Sequence, residues 1–86
     1  MLEKEETLMS VKVYSTPTCP YCQAAKRYLA SRGVPFEDID VSRDRAAAIE
    51  MIRKSGQQGV PVLDINGEII VGFDRPRIDA ALAAGY

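Results

Sequence analysis

Apolar and polar residues recur along the chain with two different periods, and the points where one gives way to the other divide it into elements. Val11-Lys12-Val13-Tyr14-Ser15 is short and β-branched, as suits a buried strand. From Pro20 onward the period becomes helical. Ala24, Ala25, Tyr28 and Leu29 share one face, and Lys26 and Arg27 fall outside it as solvated charges. Arg32-Gly33-Val34-Pro35 ends this helix, with Gly33 as the left-handed residue past the cap, Val34 as its hydrophobic follower and Pro35 as a block to continuation. Phe36-Glu37-Asp38-Ile39-Asp40-Val41 is a second strand, diluted by three acids. Ser42 is placed to cap a further helix, with Asp44 in its first turn, Ile49 and Ile52 on its inner face and Arg53-Lys54 near its negative end. Ser55-Gly56 stops it.

The second half changes period again. Val60-Pro61-Val62-Leu63-Asp64-Ile65 and Glu68-Ile69-Ile70-Val71-Gly72 flank Asn66-Gly67, a dipeptide that supplies the two positive φ values of a type I′ hairpin turn. Asp74 can cap a last helix in which Pro76 is tolerated in the first turn and Ile78, Ala81 and Leu82 face the core. Residues 1–10 are charged without periodicity and are expected to be a flexible lead-in to a domain over residues 11–86. The order is β-α-β-α-β-β-α, an α/β pattern. A helix between its first two strands implies a parallel, right-handed β-α-β unit.

Composition narrows the functions. A chain of 86 residues makes one small domain with little surplus stability. Its 47% hydrophobic and 27% charged content is ordinary for a soluble globular protein. A net charge of −1 gives no footprint for nucleic acid or for a membrane surface. No apolar run approaches the roughly 18 residues needed to span a bilayer. Met1-Leu2-Glu3-Lys4-Glu5-Glu6-Thr7 is acidic and lacks the apolar region of a secretory signal, so a cytoplasmic, reducing setting is expected. There a vicinal cysteine pair is more often catalytic than structural.

The chain has two cysteines, Cys19 and Cys22, three residues apart at a strand-to-helix junction. Residues so spaced lie on one helix face, about 5–6 Å apart between Cβ atoms, and can pair reversibly. Cys19 falls at or beside the N-cap, where free N–H groups and the positive end of the helix dipole favour a thiolate. Pro20 fits the first helical position. Thiolates in such motifs have pKa values of roughly 3.5–7.5. Cys19 is therefore the expected nucleophile and Cys22, one turn in, the resolving thiol. Tetrahedral zinc needs four ligands, and the chain has no histidine and no third cysteine. A structural disulfide would close too short a loop to gain much from chain entropy.

A Cys-x-x-Cys at the first strand-to-helix junction, an X-Pro opening a hairpin strand and a closing helix together resemble the thioredoxin fold. Thr18-Cys19-Pro20-Tyr21-Cys22 resembles the active site of glutaredoxins, and the likeness continues through Gly33-Val34-Pro35-Phe36, Lys54-Ser55-Gly56, Val60-Pro61 and Gly72-Phe73-Asp74. The resemblance implies a four-stranded mixed sheet in the order 2-1-3-4 flanked by three helices, with the Val60-Pro61 bond cis and facing the cysteines. It further implies that Val60 pairs its backbone with substrate, beside Gly59, where glutaredoxins usually carry threonine. Around the cysteines it gives Thr16, Pro20, Tyr21, Pro61, Gly72, Phe73 and Asp74 a place in a substrate or glutathione site. Asp74 reads either as a plain helix cap or as a partner for a γ-glutamyl amino group; Phe73 reads either as a half-buried packing residue or as part of an apolar rim. Tyr21 is expected to be exposed beside Cys19.

Two departures bear on the electron donor. Thr16 stands where glutathione-using members commonly carry lysine, and Gly72-Phe73-Asp74-Arg75-Pro76 looks more like the Gly-Phe-Arg-Pro of NrdH-redoxins, which thioredoxin reductase reduces. Taken whole, the sequence is similar to the YruB-like glutaredoxins that share both traits. The expectation is a monomeric dithiol oxidoreductase without a tightly bound cofactor, acting on protein or small-molecule disulfides, with glutathione or thioredoxin reductase as donor. A different chemistry also stays open, an iron–sulfur carrier in which Cys19 from each of two chains joins two glutathione thiols around a cluster.

Overall fold

The computed structural model describes residues 10–84, so the expected lead-in, apart from Ser10, lies outside the described residues. Ser10 itself is tied to the hairpin turn: its N–H donates to Asn66 Oδ1 at 2.7 Å and its carbonyl accepts from the Asn66 N–H at 2.8 Å. The elements are β1 (Val11–Ser15), α1 (Pro20–Ser31), β2 (Glu37–Asp40), α2 (Arg45–Ser55), β3 (Val62–Ile65), β4 (Glu68–Val71) and α3 (Arg75–Ala84). They form one sheet in the order β2-β1-β3-β4. β1 pairs parallel with β2 and antiparallel with β3, and β3 pairs antiparallel with β4. This is the thioredoxin fold, with the strand order that the family resemblance implies.

Strand alternation sorts the side chains into two layers. Val11 and Val13 of β1 join Leu63, Ile65 and Ile70 against Ala25 and Leu29 of α1 and Ile78, Ala81 and Leu82 of α3. On the opposite face Tyr14 and Val62 pack with Met51 of α2. α1 ends in a Schellman motif, with the Val34 N–H bonded to the Leu29 carbonyl and the Gly33 N–H to that of Ala30, both at 3.0 Å. The hairpin turn holds Asn66 at φ 52 and Gly67 at φ 92, as a type I′ turn requires.

The second helix departs from the sequence pattern. Asp44 is its cap, accepting the Ala47 N–H at 3.1 Å. Ser42 instead folds back on Asp40, donating its N–H at 2.9 Å, a local side-chain turn that competes with helix initiation. Ala47 and Met51 face the sheet, and Ile49 and Ile52 are 46% and 38% exposed. Lys54 explains the choice of face. Its ammonium reaches Asp64 at 2.6 Å and the Tyr14 hydroxyl at 2.8 Å beneath the sheet. Turning the isoleucines inward would rotate Lys54 off both partners and leave the buried Tyr14 hydroxyl unpaired, at a cost of about 1–3 kcal/mol.

Candidate active site

β1 runs out at Ser15, the chain turns through Thr16-Pro17-Thr18, and α1 begins, so the first cysteine lands on the helix cap. Cys19 adopts extended backbone angles (φ −91, ψ 114), and its sulfur accepts the backbone N–H of Cys22 at 3.2 Å. A sulfur thus fills the place that a serine or aspartate oxygen takes at an ordinary N-cap. Pro20 occupies the first helical position and lacks only an N–H that would have had no partner there. Gln23 Nε2 reaches the Pro17 carbonyl at 3.4 Å and ties the helix start to the turn before it.

The two thiols differ in setting. Cys19 is half-buried, whereas Cys22 is 0% exposed. Partial burial of Cys19 opposes ionisation. The hydrogen bond from the Cys22 thiol, those from the Cys22 and Tyr21 N–H groups and the charge of Lys26 outweigh it, and the Cys19 pKa is lowered. Cys22 is pushed up to about 11, first by burial and then by its hydrogen bond to Cys19. One thiol is thus prepared as an anion and its neighbour is kept protonated.

A distant segment and the preceding turn both meet Cys19. The Val60-Pro61 peptide bond is cis, and the Val60 carbonyl lies 3.9 Å from Cys19 Sγ. The Pro61 carbonyl accepts the Gly72 N–H at 2.8 Å, which draws the end of β4 and the start of α3 to the same side. Gly72 has φ +84, a left-handed conformation that a side chain would strain at this bend. Thr16 is half-buried, and its carbonyl accepts the Cys19 N–H at 3.4 Å. Tyr21 is 68% exposed beside the nucleophile.

Asp74 caps α3, accepting the Arg77 N–H at 3.3 Å, while its carbonyl accepts that of Ile78 at 2.9 Å. Phe73 is half-buried and meets Tyr28 edge-on at 5.9 Å between centroids, so packing accounts for it. Tyr28 is itself a junction of α1 and α3: its hydroxyl donates to Asp79, to which Arg32 also donates at 2.6 Å, and Arg75 lies 4.7 Å over its ring. These contacts set the start of α3 relative to the helix that carries the cysteines.

Two arrangements escaped the sequence reading. Gly59 is clasped by Gln57, whose Nε2 donates to the Gly59 carbonyl at 2.8 Å and whose Oε1 accepts its N–H at 3.2 Å. A Cβ on Gly59 would stand 2.9 Å from that Oε1, so the absence of a side chain there is what admits the clasp. The only hint in the sequence is glycine where threonine is usual. Lys26, in turn, is paired, contrary to expectation. It donates to Asp38 Oδ2 at 2.9 Å and its side chain is only 16% exposed. Its spacing of four from Cys22 could have pointed to it. A concavity between the hairpin turn and α3, around Asn66, Arg77 and Ala84, lies elsewhere, and no candidate site residue lines it.

Residues 11–70 match the family model described as Glutaredoxin. The chain is 49% identical over 69 residues to a glutaredoxin-like 8.6 kDa protein in the rubredoxin operon of Clostridium pasteurianum, covering 80% of this chain and 92% of that one. It belongs to the glutaredoxin family. Glutaredoxin 3 of Escherichia coli strain K12 is 39% identical over 67 residues, covering 78% of this chain and 81% of its own. Among solved structures, the glutaredoxin-like protein NrdH-redoxin from Escherichia coli superposes with a TM-score of 0.74 at 31% identity, over 83% of this chain and 92% of that one. This glutaredoxin is accordingly a redox protein of thioredoxin fold, and no helix among its described residues is long and apolar enough to cross a membrane.

Proposed function

We propose that the protein is a dithiol thiol-disulfide oxidoreductase of the cytoplasm, with Cys19 as nucleophile and Cys22 as resolving thiol. The observation that carries this reading is the N-cap sulfur of Cys19, lowered in pKa and half-exposed, one turn from a buried thiol raised to about 11. The Cys19 thiolate attacks one sulfur of a substrate disulfide and expels the other as a thiolate, leaving a mixed disulfide. The Cys22 sulfur, losing its proton to solvent, then attacks Cys19 Sγ. The remaining substrate thiolate departs, and the two electrons of the dithiol have passed to the substrate.

The geometry supports a timed second step. Burial is the largest cause of the high Cys22 pKa and persists throughout, but the Cys19 hydrogen bond and charge that add to it exist only while Cys19 is free. Once Cys19 is capped by substrate, both are gone and Cys22 becomes more acidic when it is needed. Val60 would receive an extended substrate segment through its backbone, next to Gly59 and Pro61. Thr16, Pro20, Tyr21, Gly72, Phe73 and Asp74 would border the same surface.

Two electrons must then restore the dithiol, from glutathione or from a thioredoxin reductase. The Gly72 to Pro76 segment favours comparison with NrdH-redoxin of Escherichia coli, a glutaredoxin-like protein with a thioredoxin-like activity profile. An NADPH-coupled disulfide reduction assay, run once with glutathione plus glutathione reductase and once with thioredoxin reductase alone, tests function and donor together. Turnover in either arm that is lost in Cys19→Ser supports the reading; turnover retained in that variant refutes it. The same protein, reconstituted anaerobically with iron and sulfide, is expected to stay colourless.

A further inference from the structure

β2 is an edge strand, and its Asp38, although its side chain is 48% exposed, is tied to two other elements. Strand register places Asp38 opposite Val13 and Asp40 opposite Ser15, so both carboxylates stand on the side of the sheet that α1 covers. Asp38 is held at both oxygens: the hydroxyl of Ser15, a residue 2% exposed, donates to Oδ1 at 2.8 Å, and the Lys26 ammonium donates to Oδ2 at 2.9 Å. Lys26 follows Cys22 by four residues and Cys19 by seven, so it shares their helix face. Its charge is thereby fixed under α1, on the redox side, by a contact that begins at the last residue of β1.

We infer that Ser15, Asp38 and Lys26 form a positioning chain that holds a cation behind the cysteine pair and adds to the hydrogen bonds that favour the Cys19 thiolate. Lys26 is a positioning residue here, touching neither substrate nor reacting atoms. The inference rests on the reading of Cys19 as the nucleophile. An ammonium held in one place in a partly desolvated setting acts on a thiolate more strongly than a solvated lysine would. The direction of its effect on both thiols is to favour the anion.

The other charges around the pair are committed elsewhere. Asp40, the second acid on that side of β2, accepts from Ser42. At the start of α3, Asp74 caps its helix and Arg75 lies over the Tyr28 ring. Arg27 is exposed on the outer side of α1, and the Tyr21 side chain is in solvent. The segment carrying Val60 and Pro61 contributes a carbonyl but no ionisable group at Cys19.

The test is the pH dependence of iodoacetamide alkylation of the reduced protein, with the modified cysteine located by mass spectrometry. Lys26→Gln is expected to move the Cys19 midpoint upward and to slow its alkylation at pH 6, with Lys26→Arg returning most of the loss. Arg27→Gln, the same loss of charge on the outer side of the helix, is expected to leave the profile unchanged. In an Asp38→Ala background, Lys26→Gln is expected to lose most of its effect, because the cation is no longer held. An unchanged midpoint in Lys26→Gln overturns the inference. So does a Lys26 effect that is equal or larger without Asp38. A wild-type Cys19 midpoint no lower than that of an unfolded cysteine would overturn the nucleophile reading instead, so the two failures are distinguishable.

Discussion

The asymmetry between the two thiols gives a quantitative expectation for chemical labelling. With Cys22 pushed up to about 11, roughly one molecule in ten thousand carries it as a thiolate at pH 7, against at least about one in a hundred for Cys19, which lies below the ordinary thiol value of 9.0. The ionised population therefore favours Cys19 by at least about a hundredfold. A more basic thiolate is a better nucleophile, and a Brønsted slope of about 0.4–0.5 returns roughly a factor of eight to Cys22 over that gap. Ionisation alone leaves Cys19 ahead by at least about tenfold, and burial of Cys22 at 0% exposure widens the margin. The assay is limiting iodoacetamide on the reduced protein at pH 7, quenched early and mapped by peptide mass. Modification at Cys19 should exceed that at Cys22 by more than about tenfold, and the preference should vanish in concentrated urea, where both thiols are solvated. Equal labelling of the folded protein, or Cys22 first, would refute the reasoning.

Other consequences follow from the same contacts. Leu29→Ala empties a fully buried site beneath α1, and should cost about 2–5 kcal/mol in urea unfolding; a loss under about 1 kcal/mol would mean that α1 is not anchored there. Gly59→Ala should displace the far end of Gln57 rather than backbone, changing stability by less than about 1 kcal/mol while raising KM for a peptide disulfide more than it lowers kcat. Burial tends to raise the Asp38 pKa, but the Lys26 and Ser15 bonds prevail and hold it below the usual carboxylate range. A depressed carboxylate stabilises the fold above its unfolded value and loses that contribution as pH falls through the folded one, so Tm should drop below about pH 4, less steeply in Asp38→Asn.

The fold was readable because its signals are local. Asn66-Gly67 names its own turn, Gly33 and Val34 end α1 through bonds to carbonyls three and five residues back, and Pro20 after Cys19 marks a helix start. α2 was misread where the deciding contact is distant. Ile49 and Ile52 have the right spacing for a core face, but Lys54 meets Asp64 and Tyr14 from two strands, and no local pattern reveals that pairing. The same holds for the site. Cys19 and Cys22 declare themselves by type and spacing, whereas Lys26 looks like any helix lysine until β2 brings Asp38 beneath it. The Gln57 clasp depends on what Gly59 lacks, and an absent side chain carries little signal.

The central claim is that Cys19 attacks and Cys22 resolves, and it is tested most directly by trapping. Cys22→Ser, reduced and mixed with a peptide disulfide, should stop at a stable adduct of one peptide arm that mass spectrometry places on Cys19, while the wild type under the same conditions should end as the Cys19–Cys22 disulfide. An adduct on Cys22 in Cys19→Ser that forms as fast, or no trapped adduct on Cys19, would contradict the account.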